Sequence, residues 1–316
     1  MKYLLFKPAL LCFGFLMSNP VLAQYDYDLD IRPEGDRIDY TIATFFGVAL
    51  GDDHFTLKGP IGMQVPTATA PFGTGVLKGA NVDTLRFDPD VYNYIRNPIP
   101  GSPPLIESWV RDMEFYLLSG NPFPINSITG QFSTIAMLSF TKGEIEVLAF
   151  GSTQIISLVG TGTDPFPLYG YFNQYGGKLE LDILLQVQWS GDLGGLTVSL
   201  DTNGYSHAEC LVAGLNPALA VSSLVVGQTA TFDFTGGVAN ASSWLTASIY
   251  GPGLTPVPPL HVDSGLDRPI VVVRGISDTA GTISWPLTVP ALPGLAVWFQ
   301  VVQMGVVSPV VAATIQ

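Results

Sequence analysis

Residues 178–189 give the clearest alternation of apolar and polar side chains in the chain. Successive side chains of a β-strand point to opposite faces, so a period of two predicts a strand with one buried face. That face would consist of Leu179, Leu181, Ile183, Leu185, Val187 and Trp189. Shorter runs of strand character, joined by Gly-containing turns such as Thr141-Lys142-Gly143, predict antiparallel hairpins; they lie at 38–46, 54–57, 131–140, 144–150, 153–159 and 196–200.

The chain after residue 210 has the same character. Short strand-like runs between Gly and Pro turns predict a sandwich of about 100 residues; they lie at 229–234, 244–250, 270–274, 282–286 and 297–306. One earlier segment, Leu105–Leu118, is ambiguous because Trp109, Met113 and Tyr116 also fit helical spacing. A short helix is an alternative there.

No charged residue occurs after Asp278, and the apolar segment Gly294–Ile315 is long enough to test as a membrane helix. Gln300, Gln303 and Pro309 interrupt it, and no basic residue follows it to anchor a membrane helix at the cytoplasmic side. We interpret it as a pair of core strands.

Composition supports an all-β protein. Apolar residues make up 47% of the 316 residues and charged residues 12%, with 34 Gly and 25 Pro, which disfavours both disorder and long helices. Residues 24–210 carry a net charge of −13 and residues 211–316 only −2, which predicts a boundary near residue 210. We expect an N-terminal antiparallel β-barrel or sandwich followed by a smaller C-terminal β-sandwich. The total net charge of −13 repels a phosphate backbone, so no nucleic-acid partner is expected.

Residues 1–23 have the pattern of a secretory signal peptide. Lys2 and Lys7 precede an apolar run, Ala9–Met17, and the triplet Val21-Leu22-Ala23 fits a cleavage site before Gln24. Cleavage would leave no transmembrane span and only Cys210, so no internal disulfide could form. This combination is typical of bacterial export and predicts a secreted or envelope protein, periplasmic or extracellular.

The second half also resembles a known kind of module. Short motifs occur in order along it: Asn216-Pro217-Ala218, Val226-Gly227-Gln228, Gly251-Pro252-Gly253, Gly265-Leu266-Asp267, 278–281, Val289-Pro290 and 294–300. With these motifs it resembles the β-sandwich modules at the C termini of many large secreted bacterial proteins. It implies an accessory or surface role and supplies no catalytic residues. Residues 24–210 stay unassigned.

Alternate carboxylates at Asp26, Asp28 and Asp30 are the candidate metal ligands. They match the start of a calcium loop, but Ile31 stands where that loop needs Gly and Arg37 where it needs a bidentate Glu. A solvated acidic segment is therefore the main interpretation, with calcium as the alternative. No other cofactor is expected.

Catalytic motifs of high specificity are missing from the sequence. Asp52-Asp53-His54 is interpreted as a hairpin turn, and His207, Glu209 and Cys210 resemble a thiol with its base but lack an oxyanion-loop motif. Absence of catalysis is thus favoured. A hydrolase with paired carboxylates, for which Asp52, Asp53 and Glu114 are guesses, stays open.

The segment 164–177 contains five aromatic residues among Gly and Pro, which predicts a loop that cannot bury every ring. Rings with polar neighbours are typical of surfaces that bind a glycan or an apolar ligand. The candidate ligand-binding residues are Phe166, Tyr169, Tyr171, Phe172 and Tyr175. The alternative is a packed lid over a barrel end.

The leading hypothesis for function is a non-catalytic binding or structural protein, secreted or attached to the envelope. A barrel that carries an apolar small molecule is an alternative, because both faces of 131–140 are apolar. A carboxylate hydrolase is another. An outer-membrane barrel is disfavoured because residues 312–316 lack a terminal aromatic residue and the acidic half has many charges.

Overall fold

A computed structural model describes residues 24–32, 37–44, 49–88, 90–95, 97, 99–149, 151–193 and 196–316. The predicted signal peptide lies outside the described residues. The first fourteen strands are β1 (Tyr25–Ile31), β2 (Arg37–Thr44), β3 (Ala49–Lys58), β4 (Pro60–Val65), β5 (Thr74–Lys78), β6 (Leu85–Asp88), β7 (Val91–Ile95), β8 (Ile106–Ser119), β9 (Phe123–Pro124), β10 (Gln131–Ala149), β11 (Ser152–Ser157), β12 (Phe166–Tyr175), β13 (Lys178–Leu193) and β14 (Leu196–Leu211).

Eight of these strands close into an antiparallel barrel. The order around the ring is β13, β12, β10, β8, β6, β3, β2 and β14, and β14 pairs back with β13. The far part of β14 pairs with β1 instead of β2, and the sheet continues from there through β4, β5 and β9. Because the barrel is closed, neither β13 nor β14 is an open edge strand. A sandwich of two sheets would have such edge strands.

Strict alternation decides which side chains fill the barrel. The alternate apolar residues Leu179, Leu181, Ile183, Leu185 and Val187 of β13 are all buried, as predicted, while Glu180, Asp182, Leu184 and Gln186 face outward. Fully buried rings and aliphatic chains such as Phe172, Leu168 and Leu181 occupy the interior. A single apolar core therefore runs from Tyr27 to Val212.

Two predictions for β8 and β10 were wrong for the same reason. Thr141-Lys142-Gly143 is not a turn, because β10 runs through it with a bulge opposite β8. Asp112, opposite this bulge, has a φ of 49°, and buried positions change from even to odd numbers across it. Leu105–Leu118 therefore contains a bulged strand instead of the alternative helix, and Met113 is buried while Trp109 and Tyr116 are only half-buried.

Gly143 is required at this bulge. Its φ is 126°, and a Cβ placed there would lie 3.1 Å from the Cα of Met113 on the neighbouring strand. The glycine that indicated a turn in the sequence therefore serves the close approach of two strands. The Asp52-Asp53-His54 triplet was also predicted as a turn and instead lies within β3, paired with β2.

The chain after Leu211 forms a second, smaller unit. Its strands are β15 (Ala218–Val221), β16 (Thr229–Thr235), β17 (Ser242–Ser248), β18 (Pro252–Val257), β19 (Val262–Leu266), β20 (Ile270–Ile276), β21 (Ile283–Thr288), β22 (Ala296–Gln303), β23 (Val306–Val307) and β24 (Val311–Thr314), with a 3₁₀ turn at Pro258–Leu260. A three-stranded sheet, β15-β16-β21, and a five-stranded sheet, β20-β17-β22-β23 with β24 beside β22, enclose a separate apolar core. The predicted smaller β-sandwich is confirmed.

The uncharged C-terminal segment forms strands, as expected. Strands β22 and β24 pair antiparallel, with Ala296 opposite Thr314. Gln300 and Gln303, which interrupt the apolar run, are buried and hydrogen-bonded to Ser264 and Ser243 respectively. Nowhere in the described part of the chain is there a helix long and apolar enough to cross a membrane.

Glycines allow the two units to touch closely. The β12–β13 turn at Gly176-Gly177 packs against the β22–β23 turn at Met304-Gly305, and the amide of Gly177 donates to the Met304 carbonyl at 3.1 Å. Gly176 has a φ of 59°, and a Cβ there would lie 2.2 Å from that carbonyl oxygen. A side chain at this position would therefore separate the two turns.

Strand β12 offers a direct test of the barrel's inside and outside. Phe172→Ala removes a ring that is 1% exposed, so we expect it to lower the free energy of unfolding by about 3–5 kcal/mol. Tyr171→Ala, at the neighbouring outward position, should change it by only about 0.5 kcal/mol. Urea denaturation followed by tryptophan fluorescence measures both. Equal losses in the two variants would contradict the alternation described here.

Candidate functional site

The outer wall of the barrel carries a row of exposed apolar and aromatic side chains. Tyr169 on β12 lies opposite Leu184 on β13, which lies opposite Tyr205 on β14. Their exposed fractions are 49%, 38% and 45%, and that of Tyr171 beside them is 46%. Register alone brings the row together, because directly opposite residues of paired strands project on the same face.

A polar groove of about 810 Å³ adjoins this row. The next outward residues along the same strands line it, among them Pro167 and Gln186, and Gln186 lies opposite Asn203. Asp39 on β2 extends the lining beyond Asn203. The groove thus has side-chain amides and two carboxylates, Asp39 and Asp201, beside an aromatic row, and its volume lies in the range of ligand sites.

Tyr205 is fixed in its place on the wall. Its hydroxyl hydrogen-bonds to the Asp182 carboxylate, which also accepts a hydrogen bond from Nδ1 of His207 at 2.7 Å. Burial alone would raise the pKa of Asp182, but the hydrogen bonds from His207 and Tyr205 lower it. The charged carboxylate therefore anchors the ring while leaving the ring face exposed.

A cluster of alternating charges lies below the row, at the base of β13 and β14. The ammonium group of Lys178 lies 2.8 Å from Oε1 of Glu180 and 2.7 Å from Oε2 of Glu209. Glu209 also accepts a hydrogen bond, at 2.6 Å, from Arg32, the residue that follows β1. Nε2 of His207 lies 3.8 Å from Glu209. We call Arg32, Lys178, Glu180, Asp182, His207 and Glu209 the charge cluster.

Two pKa values in the cluster are strongly shifted. Hydrogen bonds to Asp182 and Glu209 raise the pKa of His207 to about 9. Burial would raise the pKa of Glu209, but its contacts with His207 and Lys178 lower it to about 2. At neutral pH His207 is therefore a cation and Glu209 an anion, so neither is ready to transfer a proton near pH 7.

The second unit reaches the cluster through one hairpin. His261, which follows the 3₁₀ turn between β18 and β19, stacks on Tyr175 with ring centroids 3.8 Å apart and rings 9° from parallel. Its Nδ1 lies 3.6 Å from Oε1 of Glu180. A cleft of about 1080 Å³ between the barrel and the hairpin is lined by Lys178, His207, Glu209 and His261.

Glu180, His207 and Glu209 have the composition of a metal site, and their donor atoms lie within 4.8 Å of one another. The ammonium group of Lys178 already contacts both glutamates, however, and a metal ion would have to displace it. A histidine with a pKa of about 9 also holds its protons against a metal at neutral pH. The residues present fit a structural ion network better than a metal centre.

The structure separates the five predicted ligand-binding residues. The segment is strand β12 rather than a loop, because its alternation buries Phe166 and Phe172 in the barrel and exposes Tyr169 and Tyr171. Phe166 is among the residues that line the groove, although it is 5% exposed. Tyr175, at the end of the strand, packs against His261. Ligand contact by the exposed tyrosines stays a prediction.

The aspartates of the predicted calcium segment lie on the outer face of β1 rather than in a turn. Alternate residues of a strand are about 6.6 Å apart, which is too far for three carboxylates to share one ion. Asp26 contacts Lys78 at 2.9 Å and accepts a hydrogen bond from Gln64, and Asp28 accepts one from the Asn81 amide. Asp26, Asp28 and Asp30 therefore share no coordination point, and calcium binding by them stays a prediction.

The likeness of His207, Glu209 and Cys210 to a thiol with its base does not extend to the structure. His207 and Glu209 face outward on β14, whereas Cys210 on the opposite face packs against the barrel core. Burial, with the nearby Asp30 and Asp28 charges, raises the pKa of Cys210 to about 12. A thiol with this pKa does not act as a nucleophile at neutral pH.

Sequence reasoning missed Leu184 and Tyr205 of the row and Lys178 and Glu180 of the cluster. The alternation in 178–189 already placed Lys178 and Glu180 on one face, but it could not tell which strand lies beside that face. Only the pairing of β13 with β14 shows that Glu180 lies opposite Glu209.

Comparison with known proteins identifies no family. No protein-family model matches the chain, and no curated protein matches it. Among solved structures, the chain has a TM-score of 0.21 and 9% identity to Escherichia coli alpha-2-macroglobulin activated by porcine elastase, over 92% of this chain. The chain spans 42% of the length of that protein. A TM-score this low carries no argument about fold or function.

The charge cluster predicts how stability depends on pH. The pKa of His207 is raised on folding, so its stabilising contribution is complete below about pH 6.5 and is lost as the pH rises through about 9. The pKa of Glu209 is lowered, so its contribution is present above about 4.5 and is lost as the pH falls through about 2. The cluster should therefore stabilise the protein most between about pH 4.5 and 6.5.

His207→Gln tests this dependence. We expect the variant to be less stable than wild type by about 1–3 kcal/mol at pH 5.5, and the difference to shrink between pH 6.5 and 9.5. Urea denaturation at several pH values measures it. His54→Gln, on β3, is the control for loss of a histidine elsewhere. A difference that is constant with pH would refute the assignment of a raised pKa to His207.

Proposed function

We propose that the chain is an exported, non-catalytic binding protein whose outer barrel wall binds a glycan. The observation that carries the proposal is the exposed row Tyr169, Leu184 and Tyr205 beside the polar groove. A sugar ring has an apolar C–H face and a hydroxyl rim, and it can stack on a tyrosine while its hydroxyls bond to amides and carboxylates. Export is supported by the signal-peptide pattern of residues 1–23.

The fixed geometry of the wall supports binding. Tyr205 is held by Asp182, and Gln186 lies 3.5 Å from the Asn203 side chain across the paired strands. A ligand would therefore lose little affinity to the ordering of these groups. The polar side chains of the lining favour a glycan over a purely apolar ligand, because an apolar ligand would leave the amides and the two carboxylates unsatisfied.

The interior argues against the carrier hypothesis. Large side chains such as Leu168, Phe172, Leu179 and Leu181 are fully buried and pack into one core. Both clefts described above open on the outside of the barrel. In the part of the barrel whose side chains are described, a small molecule would have to replace these core side chains in order to enter.

The carboxylate pairs argue against the hydrolase hypothesis. Glu180 and Glu209 lie opposite each other, but both contact the ammonium group of Lys178. The low pKa of Glu209 also makes it a poor general acid. Glu114 contacts Lys142 at 3.3 Å and accepts a hydrogen bond from Thr84. The side chains of Asp52 and Asp53 lie outside the described residues.

The proposal predicts glycan binding that depends on the aromatic row. Isothermal titration with hexasaccharides of β-1,4-linked glucose, α-1,4-linked glucose and β-1,4-linked N-acetylglucosamine should give binding to at least one. Tyr169→Ala and Tyr205→Ala should each weaken it about five- to tenfold, since an aromatic stacking contact contributes about 1 kcal/mol or more.

Tyr94→Ala is the matched control, because Tyr94 is a comparably exposed tyrosine on β7, away from the row. It should leave glycan affinity unchanged. An equal loss in Tyr94→Ala would sink the proposed surface, as would failure of all three hexasaccharides to bind. Cleavage of a bound hexasaccharide would contradict the non-catalytic part of the proposal.

A further inference from the structure

One edge of the sandwich exposes an unusually apolar strand. Strand β20 pairs with β17 only and forms the end of the five-stranded sheet; no other strand of the described residues pairs with its outer side. Ile270, Val271, Val272 and Ile276 are exposed at 67%, 60%, 42% and 70%. An edge of this kind presents unpaired amides and carbonyls to an incoming strand, and proteins usually blunt it with charges or proline.

The protection of this edge is incomplete. The register between β17 and β20 shifts so that Leu245 pairs with Val273 while Thr246 pairs with Val271, which leaves Val272 as a bulge. A bulge limits extended pairing but does not remove it. No charged residue interrupts the four consecutive apolar residues 270–273. The strand therefore keeps an apolar surface that a partner could cover.

Two arginines lie near the ends of the apolar run in this strand. Arg268 and Arg274 are the only Lys or Arg residues after Leu211, and both are exposed on either side of the apolar run. Arg268 lies over the ring of Tyr250, with 5.1 Å from its guanidinium carbon to the ring centroid. Arg274 forms no salt bridge with any described carboxylate. Arg274 lies within β20, whereas Arg268 has a φ of 47° and lies two residues before the strand begins, so the two arginines are six positions apart in the sequence.

We propose that β20 binds an extended peptide segment of a partner protein by strand addition, and that this segment carries apolar residues between two carboxylates about six residues apart. Backbone hydrogen bonds would supply affinity, and the arginines would select the acidic ends. The strand belongs to the second unit, so this site is separate from the glycan surface of the barrel.

Charge complementarity argues against a second copy of the chain as the occupant. Antiparallel pairing of β20 with itself, centred on Val271, would bring the Arg274 of each copy to the end of the strand that Arg268 of the other copy precedes. Like charges directly opposite each other destabilise a strand pair. An acidic-ended peptide would instead place carboxylates beside Arg268 and Arg274.

Two synthetic peptides test the proposal. Fluorescein-labelled Glu-Thr-Val-Thr-Val-Thr-Glu has carboxylates six positions apart, and Lys-Thr-Val-Thr-Val-Thr-Lys is its charge-reversed counterpart. Fluorescence anisotropy with the whole mature chain, Gln24–Gln316, should show the acidic peptide binding about tenfold more tightly. The double variant R268E/R274E should reverse that preference.

Lys58→Glu with Arg86→Glu is the matched control, because it changes the net charge equally but on the barrel. It should keep the wild-type preference. Equal affinity for the two peptides, no binding of either, or the same reversal in the barrel control would overturn the proposal. So would a wild-type dimer in sedimentation that Val271→Lys dissociates, since a second copy would then occupy the edge.

Discussion

The antiparallel pairing of β13 with β14 along their whole length is the constraint on which the rest of the structure depends. It closes the eight-stranded barrel, so that neither strand remains as an open edge. Because side chains alternate along a strand, it also decides which residues fill the core. A slip of one residue would move Leu181 and Ile183 to solvent and bring Glu180 and Asp182 inside, at a cost the core could not offset.

The same pairing assembles both features of the outer wall. Leu184 meets Tyr205 near the middle of the strands, and Glu180 meets Glu209 near their base. The first contact contributes to the row proposed to bind a glycan, and the second gathers the ion network around Lys178. Because His261 and the turn at Gly305 reach this base, the network also joins the barrel to the sandwich.

The all-β class and the strand 178–189 could be predicted because strict alternation is a property of neighbouring residues alone. The shape of the barrel could not, since closure depends on which distant strands pair. The segment Leu105–Leu118 shows a second limit, because the bulge at Asp112 shifts the buried positions of β8 from even to odd numbers and so breaks the period of two that predicts a strand. Composition identified the aromatic residues of 164–177 as a group. Their division into exposed Tyr169 and Tyr171 and buried Phe166 and Phe172 follows from the two faces of strand β12.

Cross-linking of the two strands tests this register most directly. In a Cys210→Ser background, Gln186→Cys with Asn203→Cys places two thiols directly opposite, whereas Gln186→Cys with Asp201→Cys places them diagonally. Opposite Cβ atoms lie about 4.5–5.5 Å apart and diagonal Cα atoms about 7–8 Å, so only the first pair suits a disulfide. We expect mild oxidation to remove two hydrogens from the first variant, as seen by intact mass. Preferential oxidation of the diagonal pair would contradict the register, and with it the row and the charge cluster.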